Sequence, residues 1–571
     1  MEHGVCKHLT LATCVTLAIA FGASAQQNDK QFRTSELKMK LKGVTSFRSP
    51  IGFGGETKAS PHQAKWDEIH YRAHHYGKIL AQQNGLSGTA KSVPSVTALP
   101  VVAPDAGFSG FAGINGTEQA ALEGFDLEPP DQGLCTDGNS ILEVINLAAA
   151  VYSPKGKVLS EPVGLSSFFG TTATLSDPRC YYDPPTARWF WSITEVAIPS
   201  AVLLAVSLDS DPAGSYYLYS IDTSNDGALN LCPCFGDQPQ LGADTNGIYL
   251  TTNAYSLFYL SNGEAQIYAL SKFALVAGLS DAGQHLIPAA GPGDPYPFSL
   301  SPALSPDGQG SGLNGGTEYL MASDIDANEA DEVVLWAITN TSSLGEFSDL
   351  RLSSVVVKTE TYYEPPPATQ KAGYTPLGKA LGESEEGINT DDDRMSMPLN
   401  WADGNLWAAV NSAVEVDGNT VAGIAYFIVQ PSWKHSALKG SVTTQGYVVA
   451  EGPSGAADST IYPAFGVSDS GSGAMVFTLT GPDYFPSAAY VPVTLAKGAG
   501  TGIRLAGKGV AADDGFSGYA YFGGPGYGRW GDYSWAVAVG KDVWIATEYI
   551  GPRKRDFYTN WGTFIGAVPL P

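Results

Sequence analysis

The chain has 571 residues, with 57 Asp and Glu against 32 Lys and Arg, giving a net charge of −25. A surface this acidic repels nucleic acid and anionic membranes, which excludes a nucleic-acid role. Sixty-six Gly, 37 Pro and 28 Tyr with only 16% charged residues suit an all-β protein rich in tight turns and buried aromatics, and 43% hydrophobic residues exclude a largely disordered chain.

At the start, Lys7 and His8 precede an apolar run from Leu9 to Phe21, followed by Ala23-Ser24-Ala25. Small residues at that spacing mark a signal-peptidase site, so residues 1–25 read as a secretory signal cut before Gln26. The run is shorter than the ~20 apolar residues a membrane span needs. Secretion without membrane insertion, to the periplasm or the extracellular space, is the expectation.

Residues 26–104 read as a basic N-terminal extension. The first 90 residues carry 11 Lys and Arg against 6 Asp and Glu, whereas the remainder carries 21 against 51. Docking of this leader on the acidic body and a solvated segment are equally weighted readings. Within it, Ser60 and Pro61 open a helix that runs to about Gln83. His70 and His74 share one face of that helix, but HExxH is absent and no metal is assigned. Ser87 to Pro104 reads as a Pro-rich linker or an extended strand.

From residue 105 to 571 one pattern recurs, a turn rich in Asp, Asn and Gly followed by an apolar strand with an aromatic. It reads CTDGNSILEVIN from Cys135, YYDPPTARWFWSI from Tyr181, GADTNGIYLTTN from Gly242, NWADGNLWAAVN from Asn400, GVSDSGSGAMVFTLT from Gly466 and VAVGKDVWIATEY from Val537, with a weaker copy at Gly316. One hairpin cannot bury its own apolar face, so repeated copies must stack on their neighbours. The spacing predicts an all-β, seven-bladed β-propeller preceded by a short helical N-terminal extension. C-terminal strands near Trp561–Val568 are expected to pair with an early strand, which closes the ring and leaves a monomer without exposed edges.

Cleavage of the signal leaves Cys135, Cys180, Cys232 and Cys234. An even number in an oxidising compartment implies two disulfides, with three pairings open. All four fall near the starts of the first three repeats, which predicts that they meet on one face of the ring.

Charged residues recur just before the strands that would line the channel. They are Asp177-Pro178-Arg179, Gly236-Asp237-Gln238, Asp391-Asp392-Asp393-Arg394 and Arg529-Trp530-Gly531-Asp532. Asp177, Arg179, Asp237, Asp392, Arg394, Arg529, Trp530 and Asp532 are therefore the ligand-binding candidates. Three arginines from separate sectors could grip an anion, although Asp–Arg pairs at these positions also tie neighbouring sheets together. No catalytic residue and no metal ligand is nominated. Asp324-Ile-Asp326-Ala-Asn328 alternates oxygen ligands in the manner of a calcium loop but has Glu329 and Leu335 where an EF-hand needs Gly and Glu, so calcium is only a weak candidate cofactor. Only His285 and His435 remain in the body, and neither sits in a nucleophile motif. Any acid/base chemistry there would fall to Asp, Glu or Tyr.

The segments from Pro129, Ser176, Phe235 and Arg529, with the closing NWGTFIG from Asn560, resemble a group of exported microbial β-propeller proteins, distantly similar in outline to the sialidase-like (BNR-type) superfamily. The resemblance implies a fold and no activity. Sialidases carry SxDxGxxW boxes and an arginine triad; Arg179, Arg394 and Arg529 could imitate the triad, but no intact box is present. The expectation is an extracellular binding or interaction module. It would hold a glycan or an extracellular protein at the channel face, with Trp401, Tyr527, Trp530 and Tyr533 as platforms. A carboxylate-based glycan hydrolase or lyase is the alternative.

Overall fold

The computed structural model describes residues 32–51, 93–104 and 108–570. Positions 97–98, 226–231, 257–261, 281–282, 289–296, 325–328, 346–347, 501, 554 and 556–557 lie outside the description. The signal segment, the 60–83 helix and most of the calcium-loop candidate therefore fall outside the described residues.

Among the described residues the chain forms a succession of antiparallel meanders. Their first strands are Gly133–Thr136, Thr174–Asp183, Cys234–Ala243, Ser301–Leu304, Leu399–Ala402, Ala457–Val467 and Trp535–Val539. These first strands lie side by side in chain order, and the last lies against the first. The arrangement is all-β and propeller-like. The meanders are not uniform separate units, because Ser301–Leu304 and Leu399–Ala402 pair in parallel and fuse two meanders into one eight-stranded sheet.

Apolar side chains are buried between consecutive meanders. Leu142, Trp189, Trp191 and Leu203 fill the layer between the first and second, and Phe190, Leu204, Leu250 and Tyr268 that between the second and third. Tyr249, Ile267, Leu320 and Trp336 fill the next layer, followed by Met321, Leu335, Leu406 and Phe427. Trp407, Ile424, Phe465 and Phe477 come after these. Leu134, Ile145, Trp535 and Trp544 then join the last meander to the first. The recurring aromatics Trp189, Tyr249, Tyr319, Trp407, Phe477 and Trp544 all occupy second strands and are all buried.

The recurring acidic turn has a local cause. Asp137 accepts the backbone N–H groups of Asn139 and Ser140, Asp244 those of Asn246 and Gly247, and Asp183 that of Thr186. A side-chain carboxylate bonded two or three residues ahead fixes the hairpin bend, which is why Asp recurs there.

Strand Gly562–Pro569 pairs antiparallel with Ser109–Asn115, so a strand from before the first meander completes the last sheet. The leader also adds strands at outer edges. Phe32–Ser35 pairs with Gly283–Pro288, and Met39–Ser46 pairs with Ser215–Asp222. Val102–Pro104 pairs with the strand Ile503–Gly507. The described part of the leader is thus bound to the body by backbone hydrogen bonds that cap exposed edges.

Cys135 is bonded to Cys180 and Cys232 to Cys234. The four do not share one face. Cys180 lies deep in the ten-residue strand Thr174–Asp183, whereas Cys234 opens its own strand. The Cys135–Cys180 bond joins the first strands of neighbouring meanders across 45 residues of chain, a closure of about 4 kcal/mol in the loop-entropy picture. Replacing both cysteines with Ser is expected to lower urea-unfolding stability by that order. The Cys232/Cys234 double variant, which opens a two-residue separation, is expected to lose much less.

Candidate functional site

Residues ahead of or early in the first strands gather at one end of the channel, and residues at and beyond the strands' ends line the other, so the channel has a leading end and a trailing end. Three of the first strands carry the same irregularity part-way along. Asp177, Gln238 and Tyr462 adopt left-handed backbone at φ 60, 47 and 54, each is followed by Pro, and the pairing register shifts at each. Such a bulge leaves a backbone carbonyl unpaired in its ladder. Side chains from elsewhere in the ring claim these carbonyls, Tyr533 Oη donating to Pro178 and Arg179 Nε donating to Pro239.

Arg179 is the hub. It is fully buried, its Nη1 donates to the Ser396 carbonyl ahead of the fifth meander, and its guanidinium lies 3.3 Å from the centroid of the Tyr533 ring. One side chain from the second meander therefore bonds to the third, fifth and seventh, spanning the axis. Planar, delocalised guanidinium suits this role because it combines forked donors with a stacking face.

Arg394 is bound within its own segment. It meets Asp392 through two charge-assisted bonds at 2.7 and 2.6 Å, approaches Asp391 at 3.2 Å, donates to Gln238 and lies near the Phe298 ring. Asp177 and Asp532 are brought together with a third carboxylate, Asp131, and one oxygen of each lies within 4.8 Å of the others. Asp131 is held by Asn146 Nδ2 at 2.6 Å and the Asp532 backbone N–H at 2.8 Å. Burial pushes its carboxyl well up, and the charges of Asp532 and Asp177 add to this against the pull of Arg529. These three residues could hold a divalent cation, which would relieve the same repulsion. Asp237 is buried at the start of the third meander. Trp530 is buried, with its indole N–H on Thr478, and Tyr533 is buried beneath Arg179. Trp401 packs on Tyr319, and Tyr527 pairs with Gly387.

Two long insertions, 364–398 and 508–534, meet at this end through the parallel pairs Gly387 with Tyr527 and Ile388 with Gly528. Together with the segment before the first meander they bring further carboxyls that the sequence reading passed over, because each comes from a segment with no repeat signal. Glu385 is pushed up to about 12 by burial and by the charges of Asp513 and Glu128. Burial and Asp514 raise Asp513 to about 6. Glu128 is raised by burial and Asp513, and accepts the Ser517 N–H. His285 is stacked on Tyr268, and burial lowers it to about 4.

The trailing end holds a cavity of about 400 Å³, within the range of small-ligand sites. Its walls are Leu134, the Cys135–Cys180 bond, Leu304, Trp535, Ala536 and Ala538; Tyr181, Tyr182, Asp137 and Asp469 also line it. None of the eight candidates from the sequence lines it. Asp177, Arg179 and Asp237 lie within their first strands and the other five precede theirs, whereas the cavity is lined mainly by later residues of the first strands and the turns that follow them.

No protein-family model and no curated protein matches the chain. Solved structures do match. An exo-β-1,3-galactanase from Clostridium thermocellum is 11% identical, with a TM-score of 0.28 over 68% of this chain and 92% of that one. A subtype N10 neuraminidase-like protein of A/little yellow-shouldered bat/Guatemala/060/2010 is 9% identical, with a TM-score of 0.28 over 61% and 90%. The catalytic domain of a Coprinopsis cinerea GH62 α-L-arabinofuranosidase is 12% identical, with a TM-score of 0.27 over 62% and 96%. Likeness at this level carries no argument about the chemistry of this chain.

Two predictions follow from the leading end. Arg394→Gln removes one partner of a buried ion pair and is expected to cost about 3 kcal/mol in urea unfolding; a loss under about 1 kcal/mol would contradict the tie. Asp513 is raised in the folded state, so the stability it contributes is present below about pH 4 and lost as pH rises through about 6. The melting temperature of Asp513→Asn, relative to the parent, is therefore expected to climb between pH 4 and 7.

Proposed function

We propose that the chain is a secreted, monomeric, seven-bladed β-propeller that acts as an extracellular binding module, with its ligand seated in the trailing mouth of the channel. Each meander is taken as one blade, and the blade with strand Ser109–Asn115 closes the ring. Two disulfides support an oxidising compartment, and no helix among the described residues is long and apolar enough to cross a membrane.

The observation that carries the binding reading is the separation of chemistry from space. The three close carboxylates at the leading end do not line the 400 Å³ cavity, whose lining comes from six of the seven meanders and is chiefly apolar and aromatic, with Asp137 and Asp469 as its carboxylates. A hydrolase needs its acid and base beside the substrate. The alternative, a carboxylate-based glycan hydrolase or lyase, is favoured by one feature, the spacing of Asp131, Asp177 and Asp532 with a raised Asp131.

A thermal-shift screen of glycans and small metabolites against the mature protein separates the two. The binding reading expects a stabilising ligand whose effect is lost in Val537→Trp, which fills the mouth, and kept in Asp532→Asn. Release of product that stops in Asp532→Asn would overturn it in favour of the hydrolase.

A further inference from the structure

The trailing mouth has a distinct chemical character. Its deep wall is apolar and aromatic, with Leu134, the Cys135–Cys180 bond, Leu304, Trp535 and the half-buried Tyr182. Asp137 and Asp469 are its charged lining residues, and no Lys, Arg or His lines it. The charge of Asp307 adds to burial in raising the carboxyl of the exposed Asp469, and that of Asp137 adds to burial in raising the Tyr182 phenol. Carboxylates beside an apolar throat that holds no basic side chain form a negative field that a cation would relieve.

The surrounding charges are otherwise engaged or distant from the throat. Asp183 is neutralised by Lys272 at 2.7 Å. Arg188 turns its guanidinium to the carbonyls of Thr186 and Ala187. Lys541 follows Gly540, is exposed and does not line the cavity. The guanidinium of Arg179 approaches the wall only from beneath, 5.8 Å from the Trp535 ring, and is committed to Pro239, Ser396 and Tyr533.

We propose that the trailing mouth binds a small alkylammonium ligand, its cationic head between the Asp137 and Asp469 carboxylates and its alkyl groups against Tyr182, Trp535 and Leu304. This rests on the binding reading and names the ligand class of that same site. A glycan would need several directed donors and acceptors. Here the polar side chains are spent on backbone: Asp137 on two N–H groups of its own turn, Thr136 on the Ser140 carbonyl, and Asn400 on the carbonyls of Pro398 and Phe465. What remains is undirected negative potential over aromatic and aliphatic surface, which suits a diffuse cation with a greasy shell.

The test compares choline with its neutral isostere 3,3-dimethylbutan-1-ol by isothermal titration calorimetry on the mature protein at low salt. Choline is expected to bind at least tenfold more tightly, to weaken about fivefold in Asp469→Asn/Asp307→Asn, to weaken with added salt, and to be lost in Val537→Trp. Equal affinity for the two probes, or choline binding unchanged by Val537→Trp, overturns the proposal. Should choline fail while another compound from the thermal-shift screen binds and is lost in Val537→Trp, the ligand class is wrong and the binding site stands. Should no ligand respond to Val537→Trp, both fail.

Discussion

Both faces of nearly every meander are apolar, and neither face can be left in water. Trp189 and Trp191 on one side of the second meander and Phe190 and Leu204 on the other belong to different buried layers. A strand whose alternate side chains are all buried needs a neighbour on each side, and the neighbour of the last meander is the first, through Trp535, Trp544 and Ile145. Closure is therefore a requirement of the side-chain pattern. Pairing of Ser109–Asn115 with Gly562–Pro569 fastens it by backbone hydrogen bonds that join the two ends of the fold.

Closing a ring leaves an axis to fill, and the filling decides where a ligand can go. The bulges at Asp177-Pro178 and Gln238-Pro239 turn carbonyls toward the axis, and Arg179 and Tyr533 satisfy them. A buried guanidinium with carbonyl acceptors and a stacked ring is costly to remove and easy to keep in place. It divides the channel. On one side lie the carboxylates and the paired insertions; on the other lies the apolar cavity. The acidic surplus serves both ends differently: as neutralised or mutually raised carboxyls in the first, and as an open field around the mouth in the second.

Much of this was legible in the residues. The Asp-rich turn and the aromatic that follows it correspond to Asx-bonded hairpins and to buried second-strand anchors, because both are local or near-local requirements. Charged residues before the first strands do gather Asp177 with Asp532 at one end. The sequence did not reveal that Asp131 completes that group, since it lies outside the four charged motifs and is positioned by Asn146. Nor could it show which end of the channel holds the space, because that depends on where one long side chain, Arg179, comes to rest among hydrogen-bond partners up to 217 positions away. The cysteine positions likewise gave two bonds but not their separate locations, since depth along a strand has no signature in spacing.

The account stands on the channel being open at its trailing end and on the Arg179 hub barring passage from there to Asp177. Thiol labelling of two single-cysteine variants tests this directly, with Val537→Cys in the mouth and Asp177→Cys beyond the Arg179 hub, each required to unfold in urea cooperatively as the parent does. A maleimide is expected to react with position 537 in the native protein at near the rate of a free thiol, and with position 177 only as fast as the protein unfolds. Native-state labelling of position 177 as rapid as that of 537 would contradict it.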